Sequence, residues 1–170
     1  MTRILLAFFA ILVLPGCAAL PARVQETPSP LVPWISYADW ERGFSIESPG
    51  RMEIRAASYV VTGTIAPQAY TAQRGTLRFS VVAVQRRKSD SRAPGEIARE
   101  NGFDLADWER IAGTLPAYQR HVRLGGRLYR QRLVFANRMV YELLVSGPAD
   151  VFPDFAARRF FDSFIVMVKA

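Results

Sequence analysis

Residues 117–147 read AYQRHVRLGGRLYRQRLVFANRMVYELLVSG. The stretch consists of three runs of residues that favour strands. Gly125-Gly126 separates the first two runs and Asn137 separates the last two, and these residues are typical of tight turns. We therefore predict three strands joined by hairpins, at 117–124, 127–135 and 138–145.

The third of these strands indicates what covers the sheet. Residues 139–145 are apolar at both alternating positions, with Glu142 as the exception. A strand with one face in solvent alternates between apolar and polar residues, whereas a strand covered on both faces is a continuous apolar run. Helices are therefore predicted on both sides of an antiparallel sheet.

Outside this stretch the sequence predicts additional, shorter strands. Residues 59–74 favour strands but are interrupted by Gly63 and Pro67, so edge strands or a hairpin are predicted there. The remaining strands are predicted from alternation at 43–48, 52–56, 77–84 and 165–168.

Three helical segments are also predicted. Pro94 opens one that runs towards Gly102, and Asp104 can cap a second that covers 105–111. Asp150 is placed to cap the last helix, in which an Asp154–Arg158 ion pair is expected. The apolar stripe of that helix consists of Phe152, Ala156, Phe160 and Phe164.

An aromatic trio lies before the first strand. Trp34, Tyr37 and Trp40 recur every three residues, which predicts one side of a short helix or turn. The trio either caps an edge of the core, the usual place of large aromatic residues, or lies at a membrane interface.

The composition indicates one folded domain. The chain has 170 residues, 50% of them hydrophobic and 22% charged, and a net charge of +7. This length suits a single core of ordinary domain size. One cysteine and one histidine supply neither a disulfide nor the three or four ligands of a usual zinc site. No metal and no cofactor is therefore predicted.

The amino terminus has the order of a secretory signal. Arg3 precedes the apolar run 4–14, which is too short for a membrane-spanning helix of about 20 residues. The sequence Leu14-Pro15-Gly16-Cys17 resembles the lipobox of bacterial lipoproteins. The resemblance implies that residues 1–16 are a signal peptide that is removed, and that Cys17 is diacylated and becomes the first residue.

Pro15 departs from the usual lipobox, and a plain secretory signal cut after Ala18 or Ala19 is the alternative. By resemblance to Gram-negative lipoproteins, Ala18 after the cysteine favours the outer membrane. Residues 17–33 contain four prolines and are predicted to be the lipidated Cys17 and a tether. Residues 34–170 are predicted to form the single domain.

Four segments together resemble the PsbP/Mog1-like superfamily. They are GFSIESPG at 43–50, GGRLY at 125–129, VYELLVSG at 140–147 and RFFDSF at 159–164. The resemblance covers most of 42–168 and implies an α+β fold, an antiparallel β-sheet flanked by helices in an α/β/α sandwich. Known members are mainly docking or assembly modules, one group bound to photosystem II and another to a small GTPase, and they share no catalytic motif.

The net positive charge is concentrated in one segment. No acidic residue lies between Glu109 and Glu142, a segment that contains seven arginines. The two-residue period of a strand places Arg130 and Arg132 on one face and Arg127 on the other. Such arginines either bind phosphate or carboxylate groups or form a solvated rim of the sheet. The candidate anion-binding residues are Arg120, Arg123, Arg127, Arg130 and Arg132.

The residues available for catalysis are few. His121 has no nucleophile at a known spacing, so a structural role is expected for it. Asp104 and Asp107, or Asp39 and Glu41, could form carboxylate pairs, but capping and surface positions explain them.

We therefore predict a non-catalytic lipoprotein of the outer membrane that faces the periplasm, with a soluble periplasmic protein as the alternative. The expected partners are the membrane, through the lipid anchor, and an envelope protein, with no nucleic acid. One alternative function is binding of anionic lipid or lipopolysaccharide through 120–132. The other is a hydrolase of unrecognised type that uses carboxylates.

Overall fold

Ten strands and two α-helices form the described part of the chain, in a computed structural model that describes residues 33–57, 64–87, 89–100, 102–136 and 138–167. The signal, Cys17 and the tether up to residue 32 lie outside the described residues. The strands are β1 (Ile35–Asp39), β2 (Phe44–Ser48), β3 (Glu53–Ala56), β4 (Thr64–Arg74), β5 (Leu77–Arg86), β6 (Glu109–Ile111), β7 (Ala117–Leu124), β8 (Arg127–Ala136), β9 (Met139–Pro148) and β10 (Ile165–Val166).

These strands form two antiparallel sheets. The larger has the order β3-β4-β5-β9-β8-β7-β6, and the smaller has the order β1-β2-β10. The three strands predicted within 117–147 are confirmed as β7, β8 and β9. The β7–β8 turn takes Gly125 and Gly126 at φ +55° and +72°, a left-handed conformation that suits the tight hairpin turn and that glycine adopts at little cost.

The main core lies between the two sheets and the last helix. α2 (Asp154–Asp162) packs on the larger sheet, with the rings of Phe160 and Phe79 5.3 Å apart. Phe44 of β2 packs edge-on against Tyr70 at 5.0 Å. The stripe predicted for the last helix therefore faces this core, and Ser163 is the C-cap of the helix.

The opposite face of the larger sheet is covered over only part of its length. α1 (Pro94–Glu100) and a 3-10 turn (Leu105–Asp107) enclose a second core around Ile97, Trp108 and Phe135. The prediction of an α+β fold built on an antiparallel sheet is confirmed, and the helices that flank the sheet are few.

Two helical predictions are wrong. The segment 105–111 is not one helix, because after the 3-10 turn the backbone of Glu109–Ile111 pairs with β7 as an edge strand. Asp150 does not cap α2, because the helix begins only at Asp154, and Pro153 is its N-cap, with no side-chain hydrogen bond.

The aromatic trio does not share one side of a helix or turn. Tyr37 lies in β1, which pairs with β2, and in a strand residues three apart point to opposite faces. Trp34 and Tyr37 pack on the core, with Trp34 6.0 Å from Phe79, whereas Trp40 is 73% exposed.

Edge strands or a hairpin were predicted at 59–74, and the described part of this region, 64–74, is one long strand inside the larger sheet. β4 pairs with β3 on one side and β5 on the other, and its register shifts between Ile65 and Gln68. A bulge of this kind accommodates Pro67 within a strand. Residues 58–63 lie outside the described part.

Candidate functional site

The β7–β8 hairpin places the five candidate arginines on two faces of the larger sheet. Arg120 lies opposite Gln131, and the next pair along the hairpin is His121 with Arg130. Because side chains alternate along each strand, Arg123, Arg130 and Arg132 lie on the face that carries α2. Arg120 and Arg127 lie on the face that carries α1.

Arg130 is held by the start of α2. Its Nη2 lies 2.5 Å from Oδ1 of Asp154, and its guanidinium lies 5.3 Å from the centre of the Phe152 ring. Its Nε is buried and has no hydrogen-bond partner. Asp154 therefore pairs across to the sheet, and the expected Asp154–Arg158 pair within the helix is replaced by this contact.

Arg132 is held by the end of the same helix. Its Nη1 donates to the carbonyl oxygen of Phe161 at 2.9 Å, and its Nη2 lies 3.5 Å from Oδ1 of Asp162. Burial lowers the pKa of this guanidinium, and Asp162 partly offsets that effect. The Nε of Arg132, like that of Arg130, is buried without a partner.

A cleft lies at the step between α2 and the outer strands β7 and β8. We name it the β7–α2 cleft; its volume is about 290 Å³, and Phe161 contributes to its wall. It forms because α2 packs on the middle of the sheet, over β5, and does not reach the outer strand β7. Its polar lining consists of Gln119, His121, Arg130, Gln131, Arg132, Arg158 and Asp162.

The β7–α2 cleft has an excess of positive charge. Its three guanidiniums are opposed by Asp162 within the cleft and by Asp154 beside it. Burial, and then the charge of Arg130, lower the pKa of His121 below its ordinary value of 6.5, so the imidazole is neutral at pH 7. The cleft therefore offers N–H donors to an anion.

On the opposite face, Arg120 contacts a neighbouring side chain and an aromatic ring. Its Nε donates to Oε1 of Gln131 at 2.6 Å, and Gln131 in turn donates to Glu142 at 3.0 Å. The guanidinium of Arg120 lies 4.5 Å from the ring centre of Trp108, a cation–π contact.

Arg123 and Arg127 lie near the hairpin turn at the ends of β7 and β8. Arg123 is exposed and Arg127 is half-buried, and neither side chain forms a hydrogen bond or ion pair with another described residue. The structure thus brings together Arg130 and Arg132 from the predicted set, and does not bring Arg120, Arg123 or Arg127 to them.

A second surface lies on the α1 face of the larger sheet. The described helices there pack on Leu133 and Phe135, and leave the two neighbouring rows of cross-strand residues without a helix above them. We name these rows the open face. They are Glu53, Thr71, Ser80, Leu144 and Gln131 in one row, and Gln73, Arg78, Ser146, Tyr129 and Val122 in the other.

The β3 end of the open face is a shallow basic depression of about 400 Å³. Arg51, Arg55 and Arg78 line it together with Glu53, which pairs with Arg55 at 2.7 Å. Arg51 and Arg78 are exposed, and neither pairs with a described residue. This depression was not predicted, because its arginines lie on two separate segments of the sequence, Arg51 and Arg55 on one and Arg78 on the other.

Two of the four carboxylates considered for catalysis, Asp104 and Asp39, accept hydrogen bonds within the protein. Asp104 accepts from the backbone N–H of Ala106 at 3.0 Å, which caps the 3-10 turn. Asp39 accepts from the hydroxyl of Tyr70 at 2.6 Å and from the backbone N–H of Arg42 at 2.8 Å. Burial, reinforced by this bond to Asp39, raises the pKa of Tyr70. The hydrogen bond between Asp39 at the end of β1 and Tyr70 of β4 joins the two sheets.

Arg158 and Gln119 also line the cleft, although neither belongs to the set of candidate residues predicted from the sequence. A signal for Arg158 exists, because Asp154, Arg158 and Asp162 follow one another at four-residue spacing on one side of a helix. Nothing in the sequence shows that this side faces β8.

The described residues contain no group of three or more His, Cys, Asp or Glu side chains that could hold a metal ion. Among the helices in the described ranges, none has the length and apolar character needed to cross a membrane.

The fold resembles that of a solved protein. No protein-family model matches the sequence, and comparison with curated proteins gives no match. The solution structure of PsbP (CyanoP) from Synechocystis sp. PCC 6803 matches with a TM-score of 0.52 at 11% identity, over 89% of this chain and 99% of that one. The predicted PsbP-like fold is therefore confirmed.

A crystal structure from Bacteroides thetaiotaomicron VPI-5482 also matches, with a TM-score of 0.46 and 14% identity. The match covers 75% of this chain and 46% of that protein, so the chain spans less than half the length of this relative.

Proposed function

We propose that this protein is a non-catalytic docking module of the cell envelope. In this proposal a lipid on Cys17 anchors it to the outer membrane, the tether extends the domain into the periplasm, and the open face binds an acidic surface of an envelope protein. The domain is an α/β/α sandwich of the PsbP/Mog1-like type, with α2 on one face and α1 on part of the other.

The open face is the observation that carries the docking proposal. A sheet that presents side chains without a helix above them offers a broad surface on rigid strands, which suits recognition of another protein. Ser80 and Ser146 are buried between larger neighbours, while Leu144 and Tyr129 are half-buried and available for contact.

Charge indicates the chemistry of the partner. Arg51 and Arg78 at one end of the open face, and Arg127 beside the other end, have no described carboxylate partner. Arginine binds carboxylates through two parallel hydrogen bonds, and such charges steer association with an acidic surface. We therefore choose an acidic protein as the partner.

The anchor rests on the sequence. Leu14-Pro15-Gly16-Cys17 resembles a lipobox, and the proline-rich residues up to 33 suit an extended tether. Two or three acyl chains at Cys17 would give durable attachment, because a single chain binds a membrane only marginally. The resemblance to the PsbP/Mog1-like superfamily, whose members are mainly docking modules, agrees with the docking part of the proposal.

Site-specific crosslinking in intact cells tests the docking surface. A photo-reactive phenylalanine analogue is placed at Tyr129 on the open face in the full-length protein. The same analogue at Trp40, an aromatic residue that is 73% exposed on the smaller sheet, is the matched control. We expect one discrete protein adduct from position 129 and none from position 40.

Charge reversal then distinguishes docking from chance contact. Arg78→Glu combined with Arg127→Glu should remove the adduct, because both changes repel an acidic partner. Arg99→Glu on the exposed side of α1 should retain it. An adduct that survives the double reversal, or that forms equally from both positions, contradicts the proposal.

A separate experiment tests the anchor. Cells fed with a labelled fatty acid should incorporate the label into the wild-type protein, which should fractionate with the outer membrane. Cys17→Ser should lose the label and the membrane association. A wild-type protein that is found unlabelled in the soluble periplasmic fraction would replace this part of the proposal with the soluble alternative.

A further inference from the structure

The β7–α2 cleft is separate from the open face, because it lies on the other side of the larger sheet. It combines three guanidiniums from two structural elements, Arg130 and Arg132 on β8 and Arg158 on α2. The arginines of β8 and Arg158 are more than 20 residues apart in the sequence, so the three charges come together only in the folded protein.

We propose that the β7–α2 cleft binds a dianionic phosphate group, either free or as the headgroup of a lipid. The proposal does not depend on docking at the open face. Arg158 approaches the group from the helix, and Arg130 and Arg132 form the floor beneath it.

Two buried donors beside the cleft are left unpaired by the described residues. The Nε atoms of Arg130 and Arg132 are both buried and have no hydrogen-bond partner. A buried N–H without an acceptor is unfavourable, and buried polar groups in folded proteins are normally paired. The oxygens of one tetrahedral anion can accept from both neighbouring arginines, which lie two residues apart on the same face of β8.

The charges favour phosphate over a carboxylate. Asp162 already supplies one carboxylate, 3.5 Å from Nη2 of Arg132, so a carboxylate ligand would bring no more charge than the protein's own group. A phosphate dianion carries more charge and more acceptor oxygens, and arginine binds it through paired hydrogen bonds. Arg158 has no described partner, is exposed, and is free to close on the ligand.

Nuclear magnetic resonance tests the proposal. The gene for the full-length chain is expressed in the host cell, and the mature protein that the cell produces is purified and measured. Inorganic phosphate is the probe, titrated at constant ionic strength and at a pH where it is a dianion. The Nε–H signals of Arg130 and Arg132 are assigned by their loss in Arg130→Lys and Arg132→Lys. We expect both signals to shift and to saturate.

Two variants of equal charge provide the control. Arg158→Gln should weaken phosphate binding by about tenfold, because it removes a charged donor from the cleft. Arg99→Gln removes the same charge from the opposite side of the molecule and should bind as the wild type does. Both residues are exposed, so neither change disturbs the core.

A second titration distinguishes the two sources of phosphate. Dihexanoyl phosphatidic acid, a soluble lipid with the same phosphate group, should bind more tightly than inorganic phosphate if the natural ligand is a lipid. Equal or weaker binding indicates free phosphate. The proposal is overturned if neither probe moves the two Nε–H signals, if shifts fail to saturate, or if Arg158→Gln binds like the wild type.

Discussion

The two faces of the β7–β8 hairpin carry arginines of the same sequence segment but use them differently. On the α1 face, the Nε of Arg120 donates to Gln131, and its guanidinium packs on the ring of Trp108. On the α2 face, Arg130 and Arg132 are held at their tips by α2 while their Nε atoms have no partner.

This difference shows that a cluster of positive charge in a sequence is not one surface in the fold. Alternation along the strands divides the cluster, and the elements packed above each face then decide its use. On one face the arginine stabilises a core, and on the other the arginines line a cleft. Substitutions on one face of the hairpin should therefore alter the property of that face and leave the other face unchanged.

Trp108→Ala should have the largest effect on the free energy of unfolding, and it should not change phosphate binding by the folded protein. Trp108 is 6% exposed and packs with Phe103 and Arg120, so the change leaves a cavity and should lower the free energy of unfolding by about 3 kcal/mol. Trp40→Ala, at a 73% exposed position, should cost less than about 0.5 kcal/mol. Denaturant unfolding measures both, and similar losses would contradict this account of the α1 face.

Arg132→Met and Arg120→Met should separate stability from binding. Each keeps an apolar stem and removes one hydrogen bond and a ring contact, so each should lower the free energy of unfolding by about 1 to 2 kcal/mol. Arg132→Met should also abolish phosphate binding, whereas Arg120→Met should retain it. Titrating each folded variant with phosphate measures this difference. Loss of phosphate binding in both variants would show that only the overall charge matters.

His121 should give the smallest effect, in the dependence of stability on pH. Burial and Arg130 lower the pKa of His121 in the folded protein, so the unfolded chain binds the proton more readily. Stability should therefore fall as the pH drops below the ordinary histidine value of about 6.5, and level off below the folded pKa.

His121 is the sole histidine of the chain, so its titration can be followed directly. His121→Gln should remove the slope in stability above about pH 5, where carboxylates contribute little. Arg130→Gln should raise the pKa of His121, and Arg127→Gln, on the other face, should not. A pKa that responds equally to both would contradict the assignment of Arg130 to the cleft.

The sequence alone identifies the hairpins and the faces of their arginines. Gly125-Gly126 and the alternation along β7 and β8 are local signals, and period two correctly places Arg130 with Arg132 and opposite Arg127. The apolar run in β9 predicts a strand that is covered on both faces, and β9 lies inside the larger sheet between β5 and β8, with Tyr141, Leu143 and Val145 in the main core.

What packs on each face could not be predicted, because it depends on contacts between distant segments. The residues 109–111 have helical spacing but pair with β7, since an unpaired sheet edge offers their backbone hydrogen bonds. Arg158 was expected to pair with Asp154 in its own helix, yet Arg130 takes that carboxylate. The cleft depends on where α2 packs on the sheet and has no local signature in the sequence.

The most direct test of the central claim compares phosphate binding by Arg130→Gln and Arg127→Gln. The two residues lie three apart on β8, on opposite faces, and each change removes one positive charge. We predict that Arg130→Gln weakens binding by about tenfold and that Arg127→Gln leaves it unchanged. Equal losses in the two variants would show that the segment attracts anions only through its overall charge, and would contradict the division into two faces.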